Sequence, residues 1–165
     1  MKKIFFALTL FSLSMQVQSQ NTENTFDFWL GKWDAYWNDS LKGTNVIKKT
    51  LKNKVVEENF SYNDKTFIGR SWSMFDATTK TWKQTWVDDA GAYLLFTGGQ
   101  EGKDVILTMT DTRTVKGKTV YMRMIFYNIT KDNFDWDWQS SEDKEKWTTV
   151  WAIKYKRNKK KPKGK

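Results

Sequence analysis

The sequence predicts an all-β protein: an up-and-down antiparallel β-barrel of about ten strands. Three observations lead there. Short stretches in which every second residue is apolar follow one another, separated by Gly, Asn and Asp turns. No stretch beyond the first twenty residues keeps a helical period. The single proline, Pro162, stands near the C-terminus and interrupts no strand. Regular hairpins favour a meander, and closing a meander removes its edges. A barrel of this size has room for one small ligand. A β-sandwich would need long crossovers, which the even spacing does not provide.

The chain opens this pattern with Phe26–Trp37, FDFWLGKWDAYW. Trp29, Trp33 and Trp37 stand four apart, but Trp33, Ala35 and Trp37 also alternate with Lys32, Asp34 and Tyr36. Gly31 weakens a continuous helix by about 1 kcal/mol relative to alanine. The segment therefore divides into one turn carrying Phe28 and Trp29, then a strand over 32–38. Asn38-Asp39-Ser40 and Gly43 turn the chain. Strands are expected over 44–51, 54–62, 66–75, 81–88 and 92–97. Arg70, Trp72 and Met74 share one face of the fourth; Trp82, Gln84 and Trp86 share one face of the fifth. Asp88-Asp89-Ala90-Gly91 is a hairpin signal, and the glycine run 98–102 reads as a turn. The remaining strands fall at 104–111, 118–129, 133–140 and 147–156, with a turn at Lys116-Gly117 and an acidic loop over 141–146.

Lys2 and Lys3 precede the apolar run 4–13, and Ser19 stands at a plausible cleavage point, so residues 1–19 read as a secretion signal. The expected location is secreted or periplasmic. The run is too short to span a bilayer. Without cysteine, a lipid-anchored start and disulfides are excluded, so stability must come from the core. Ten tryptophans and eleven phenylalanines can supply it. The net charge of +9 is unevenly placed, since residues 20–153 carry 18 basic and 19 acidic groups. The excess lies in the last twelve residues. The expected plan is a signal at 1–19, a barrel domain at 20–157 and a disordered basic tail at 158–165. Such a tail suits weak contact with an anionic surface. No basic patch is interleaved with the aromatics, so no specific nucleic-acid partner is expected.

Phe26-Asp27-Phe28-Trp29-Leu30-Gly31-Lys32-Trp33 resembles the G-x-W start of the lipocalin or calycin superfamily. Together with Gly43-Thr44-Asn45, Gly69-Arg70-Ser71, Trp82–Asp88 with Gly91, and Trp138 followed by Ser141, Asp143 and Trp147, the chain is similar to a family of secreted lipocalin-like bacterial domains of unknown function. The resemblance implies a calycin-like barrel and no established activity. It also implies that Trp33 closes the barrel floor, with Lys154 or Arg157 packed on it. Haem-binding relatives such as nitrobindins ligate iron through histidine; this chain has none, and no cofactor is expected.

Without His or Cys, Ser-His-Asp, Cys-His and histidine–cysteine zinc sites are not available, and no metal site is expected. Asp135 and Asp137 are the most enzyme-like pair. A two-residue turn at Lys131-Asp132 would set Tyr127 opposite Trp136 and Ile125 opposite Trp138, leaving both carboxylates outside the barrel. An aromatic pocket with a few polar anchors is the stronger reading. Its candidate ligand-binding residues are Arg70, Trp72, Trp82, Gln84, Trp86, Arg123, Tyr127, Trp136 and Trp138. An inward arginine would hold a carboxylate in two-point contact. The expected function is a secreted, non-enzymatic barrel for a small hydrophobic or amphipathic ligand. The alternatives are an isomerase or hydrolase using barrel carboxylates, and a carbohydrate-binding or surface-interaction module.

Overall fold

The structure, a computed structural model, describes residues 22–159. The expected signal and most of the basic tail lie outside the described residues. A single 3-10 turn, Asp27–Trp29, precedes eleven strands: β1 (Gly31–Trp37), β2 (Ser40–Thr50), β3 (Val55–Tyr62), β4 (Ile68–Asp76), β5 (Thr81–Asp88), β6 (Tyr93–Glu101), β7 (Asp104–Met109), β8 (Arg113–Val115), β9 (Lys118–Tyr127), β10 (Asn133–Ser141) and β11 (Thr148–Arg157). All but β8 form a closed, ten-stranded, up-and-down antiparallel barrel, compatible with a calycin-like fold. Pairing of β1 with β11 closes it, Trp33 opposite Arg157 and Ala35 opposite Tyr155. The split of the opening segment at Gly31 therefore holds.

The floor is filled by rings. Phe26 lies edge-on to Trp82 at 4.8 Å and to Phe126 at 5.7 Å, and Trp33 lies edge-on to Phe134 at 4.8 Å. Trp33 and Phe26 are fully buried. The indole N–H of Trp33 donates to the Trp29 carbonyl at 2.7 Å, tying the first turn to the first strand. Arg157 lies over the Trp33 ring at 4.1 Å and donates to the carbonyls of Lys131, Leu30 and Phe28. Of the two cations expected on Trp33, Arg157 is the one that packs there. Gly31, at φ +122°, leaves it room: a Cβ there would stand 2.6 Å from Arg157 Nη1.

Three expectations change. β6 runs on through Gly98 and Gly99, so the expected turn shortens to Gly102-Lys103, and β8, three exposed residues, pairs with the start of β9 across Lys116-Gly117. The β9–β10 connection spans residues 128–132, with Asn128 at φ 50° and Thr130 bonded to Asn133 in both directions. The register is thereby one residue off the expected pairing: Phe126 faces Trp136 and Tyr127 faces Asp135. A one-residue slip exchanges the two faces of a strand, so Tyr127 and Arg123 point outward. At the C-terminus, Asn158 donates to Lys32 and Asp34, and Lys159 pairs with Asp132.

Candidate functional site

Above the floor the barrel is not filled. A cavity of about 300 Å³ runs from Trp29 up to a mouth bordered by Phe67, Asp88, Ala92 and Arg113. Its wall is a chain of rings. Phe96 meets Trp138 at 5.8 Å, Trp138 stacks near Trp136, and Trp136 meets Trp151 edge-on at 5.7 Å. Trp151 reaches Phe60, Phe60 reaches Trp86, and Trp86 lies beside Phe67. Trp86, Trp136, Trp138 and Trp151 are only half-buried, because one side of each faces open space. β4 makes this possible from the other side. Gly69 has no side chain where Trp86 lies; a Cβ there would stand 2.1 Å from the indole.

The inner face of β4 is small and polar, the reverse of the expected one. Ser71 and Ser73 are fully buried, while Trp72 and Met74 are 43% and 49% exposed. The two serines belong to a polar stripe crossing four adjacent strands. Asn45 on β2 donates to Glu58 Oε1 at 2.6 Å, and Ser71 donates to Glu58 Oε2 at 2.6 Å. Gln84 on β5 donates to Ser73 at 2.8 Å. Sheet register produces these contacts: Glu58 is directly opposite Ser71, and Ser73 directly opposite Gln84.

Glu58 is the chemical centre of the cavity. Burial pushes its carboxyl up to about 7, against the hydrogen bonds from Ser71 and Asn45 and the charge of Arg70, which pull it down. Tyr155, also in the lining, is driven upward by burial and by Glu58 and stays a neutral phenol. Asp88 at the mouth is occupied: Oδ2 accepts from the Trp86 indole, and Oδ1 from the backbone of Ala90 and Ala92. A carboxyl near neutrality among rings can accept a cation, donate to a neutral oxygen or move a proton.

Of the nine sequence candidates, Gln84, Trp86, Trp136 and Trp138 line the cavity. Trp82 points inward but is buried in the floor, bonded to the Thr22 carbonyl. The other four are corrected to the outer face. Arg70 donates to the carbonyls of Phe60 and Gly69, and Trp72 is exposed. Arg123 lies over Trp147 at 4.1 Å and bonds Gln139. Tyr127 donates to Asp137, and its hydroxyl is pushed up to about 12 by burial and that carboxylate. Asp135 and Asp137 are on the outer face, as expected; Asp135 accepts from Asn128, and Asp137 is buried there beneath Tyr127 and Thr149, accepting from both.

The sequence reading missed Glu58, Phe60, Trp151 and Tyr155. Glu58 did leave a signal: it shares an alternation phase with Val56 and Phe60, so a carboxylate stands where an apolar residue is due. A scan against protein-family models and a search of curated protein sequences both give no match to this chain.

Proposed function

We propose that the protein is a secreted, lipocalin-like binding barrel whose cavity takes one small apolar or amphipathic molecule and does not transform it. The observation carrying this reading is the cavity of about 300 Å³ between a filled floor and an open mouth, walled by four half-buried tryptophans. Exposed faces of large rings are costly to leave in water, at roughly 25 cal/mol per Å², and a ligand covering them recovers that term. Enclosed apolar pockets with few polar groups are the usual form of small-molecule sites. A sugar-stacking surface has less support, since Trp72 is the only tryptophan among the exposed large hydrophobics of the described residues.

Native mass spectrometry of Gln20–Lys165 from a secreting host tests this reading. The expected result is a retained small molecule, or uptake of N-phenyl-1-naphthylamine with quenching of tryptophan fluorescence. A bare mass with no uptake overturns it. An enzyme is the second reading, favoured by the near-neutral carboxyl of Glu58 inside the cavity rather than by Asp135 and Asp137. Recovery of the retained molecule chemically unchanged after prolonged incubation favours the binder.

A further inference from the structure

We infer that the cavity selects ligands carrying a cationic head, an amine on an apolar body, and that Glu58 receives that head. The inference rests on the binding reading above and adds the chemistry of the ligand.

Among the described residues, three charged ones line the cavity: Glu58, Asp88 and Arg113. Arg113 is exposed on β8 at the rim, where water screens it. Asp88 is taken up by its own turn and by Trp86. Glu58 alone stands deep, 7% exposed. Each of its oxygens accepts one hydrogen bond from protein, from Asn45 and from Ser71. Each therefore keeps a second lone pair, and a carboxylate can accept at about four sites. Among the described residues it has no ion-pair partner. Arg70, the cation on the neighbouring strand, directs its guanidinium to backbone carbonyls instead. A buried carboxylate without a counter-ion is costly, and one supplied by a ligand offsets that cost.

The surroundings agree. Gln84 lines the cavity and is 3% exposed, and its Oε1 has no partner. This amide belongs to the same polar stripe, joined to it through Ser73. Among the described residues of the lining, Trp29 at the floor keeps its buried indole N–H unpaired. Ring faces of Phe60, Trp86, Trp136 and Trp151 attract cations, tryptophan most strongly.

The titratable groups around Glu58 are Arg70 from β4 and Tyr155 from β11. Arginine is a permanent cation and the phenol stays protonated, so Glu58 is the group of this set that titrates near neutrality. An amine entering the cavity turns Glu58 into its ionised form, and amine affinity rises with pH.

Three probes with one body and different heads test this: 4-phenylbutylamine, 4-phenylbutanol and 4-phenylbutyrate, titrated calorimetrically into the full chain. The amine is expected to bind about tenfold or more tighter than the alcohol at pH 8, with the butyrate weakest. Its affinity should rise about a hundredfold from pH 5 to pH 8, as the ionised fraction of Glu58 grows. Glu58→Gln should abolish the amine preference, and a cooperative thermal melt checks that the variant is folded. Equal binding of all three heads, or preference for the butyrate, overturns the inference and leaves the binding cavity standing. Failure of all three probes to bind the parent at any pH counts against both.

Discussion

Floor and upper barrel are built from the same residue type and use it in opposite ways. In the floor, Trp33 and Trp82 are enclosed on every side by Phe26, Phe134 and Phe75. In the upper half, Trp138, Trp136 and Trp151 follow one another, Phe60 links Trp151 to Trp86, and all four tryptophans stay partly uncovered. The difference lies in what stands opposite. The floor receives a plug from the first turn, whereas the upper wall faces serines, a glutamine and a glutamate. A large side chain stabilises in proportion to the area it loses to water, so floor tryptophans hold the fold and wall tryptophans are available to something else.

Substitutions can break that contrast. The largest effect is expected from Trp33→Ala, a loss of about 3–5 kcal/mol by analogy with other fully buried aromatics; chemical denaturation checks it, and a near-parental midpoint would remove Trp33 from the floor's foundation. Next is Glu58→Gln, through pH. Because burial raises the folded carboxyl from 4.5 to about 7, the folded state binds the extra proton. Its stabilising term is fully present below pH 4.5 and is lost as pH rises through about 7. The loss approaches about 3 kcal/mol at pH 8.5. Glutamine has no such term, so the variant should gain on the parent by about that amount between pH 4.5 and 8.5, followed by parallel melts. An unchanged gap would mean that Glu58 is solvated.

Trp136→Ala in the wall should cost about 2 kcal/mol, less than Trp33→Ala because part of the ring is already uncovered, but it should weaken probe uptake, measured by fluorescence titration. A cost equal to that of Trp33→Ala would erase the distinction between the two halves. Smallest is Trp72→Thr on the outer face of β4, expected within about 0.5 kcal/mol of the parent, with probe binding unaffected.

The parts of the fold set by local chemistry could be read directly. Gly31 dividing turn from strand, the Lys116-Gly117 hairpin and the inward phase of Trp136 and Trp138 all follow from spacing and turn residues. Arg157 on Trp33 was accessible only through the resemblance. Two long-range facts were not accessible. The β9–β10 register depends on Thr130 and Asn133 bonding across a five-residue loop, and without that loop the alternation of β9 is placed one residue out, which turned Arg123 and Tyr127 inward. On β4 the alternation points the more apolar face inward. The true inner face is small because Trp86 lies on Gly69, and polar because Glu58 and Gln84 need partners. Which face of a strand is inside is decided by the strands beside it, and Ser71 and Ser73 carry no mark of those neighbours.

The pairing of β1 with β11 has a further consequence, for synthesis. Trp33 meets a partner 124 positions later, when Arg157 arrives. Every other barrel pairing joins strands close along the chain, so a nascent protein can assemble hairpins as they emerge but cannot join its first strand to its last until the end. Until then β1 and β10 are open edges, each able to pair with another chain. Contacts of such high sequence separation form late and slowly. Premature termination before Thr148 would therefore do more than shorten the protein: it would leave a curved sheet with two unsatisfied borders, prone to aggregation.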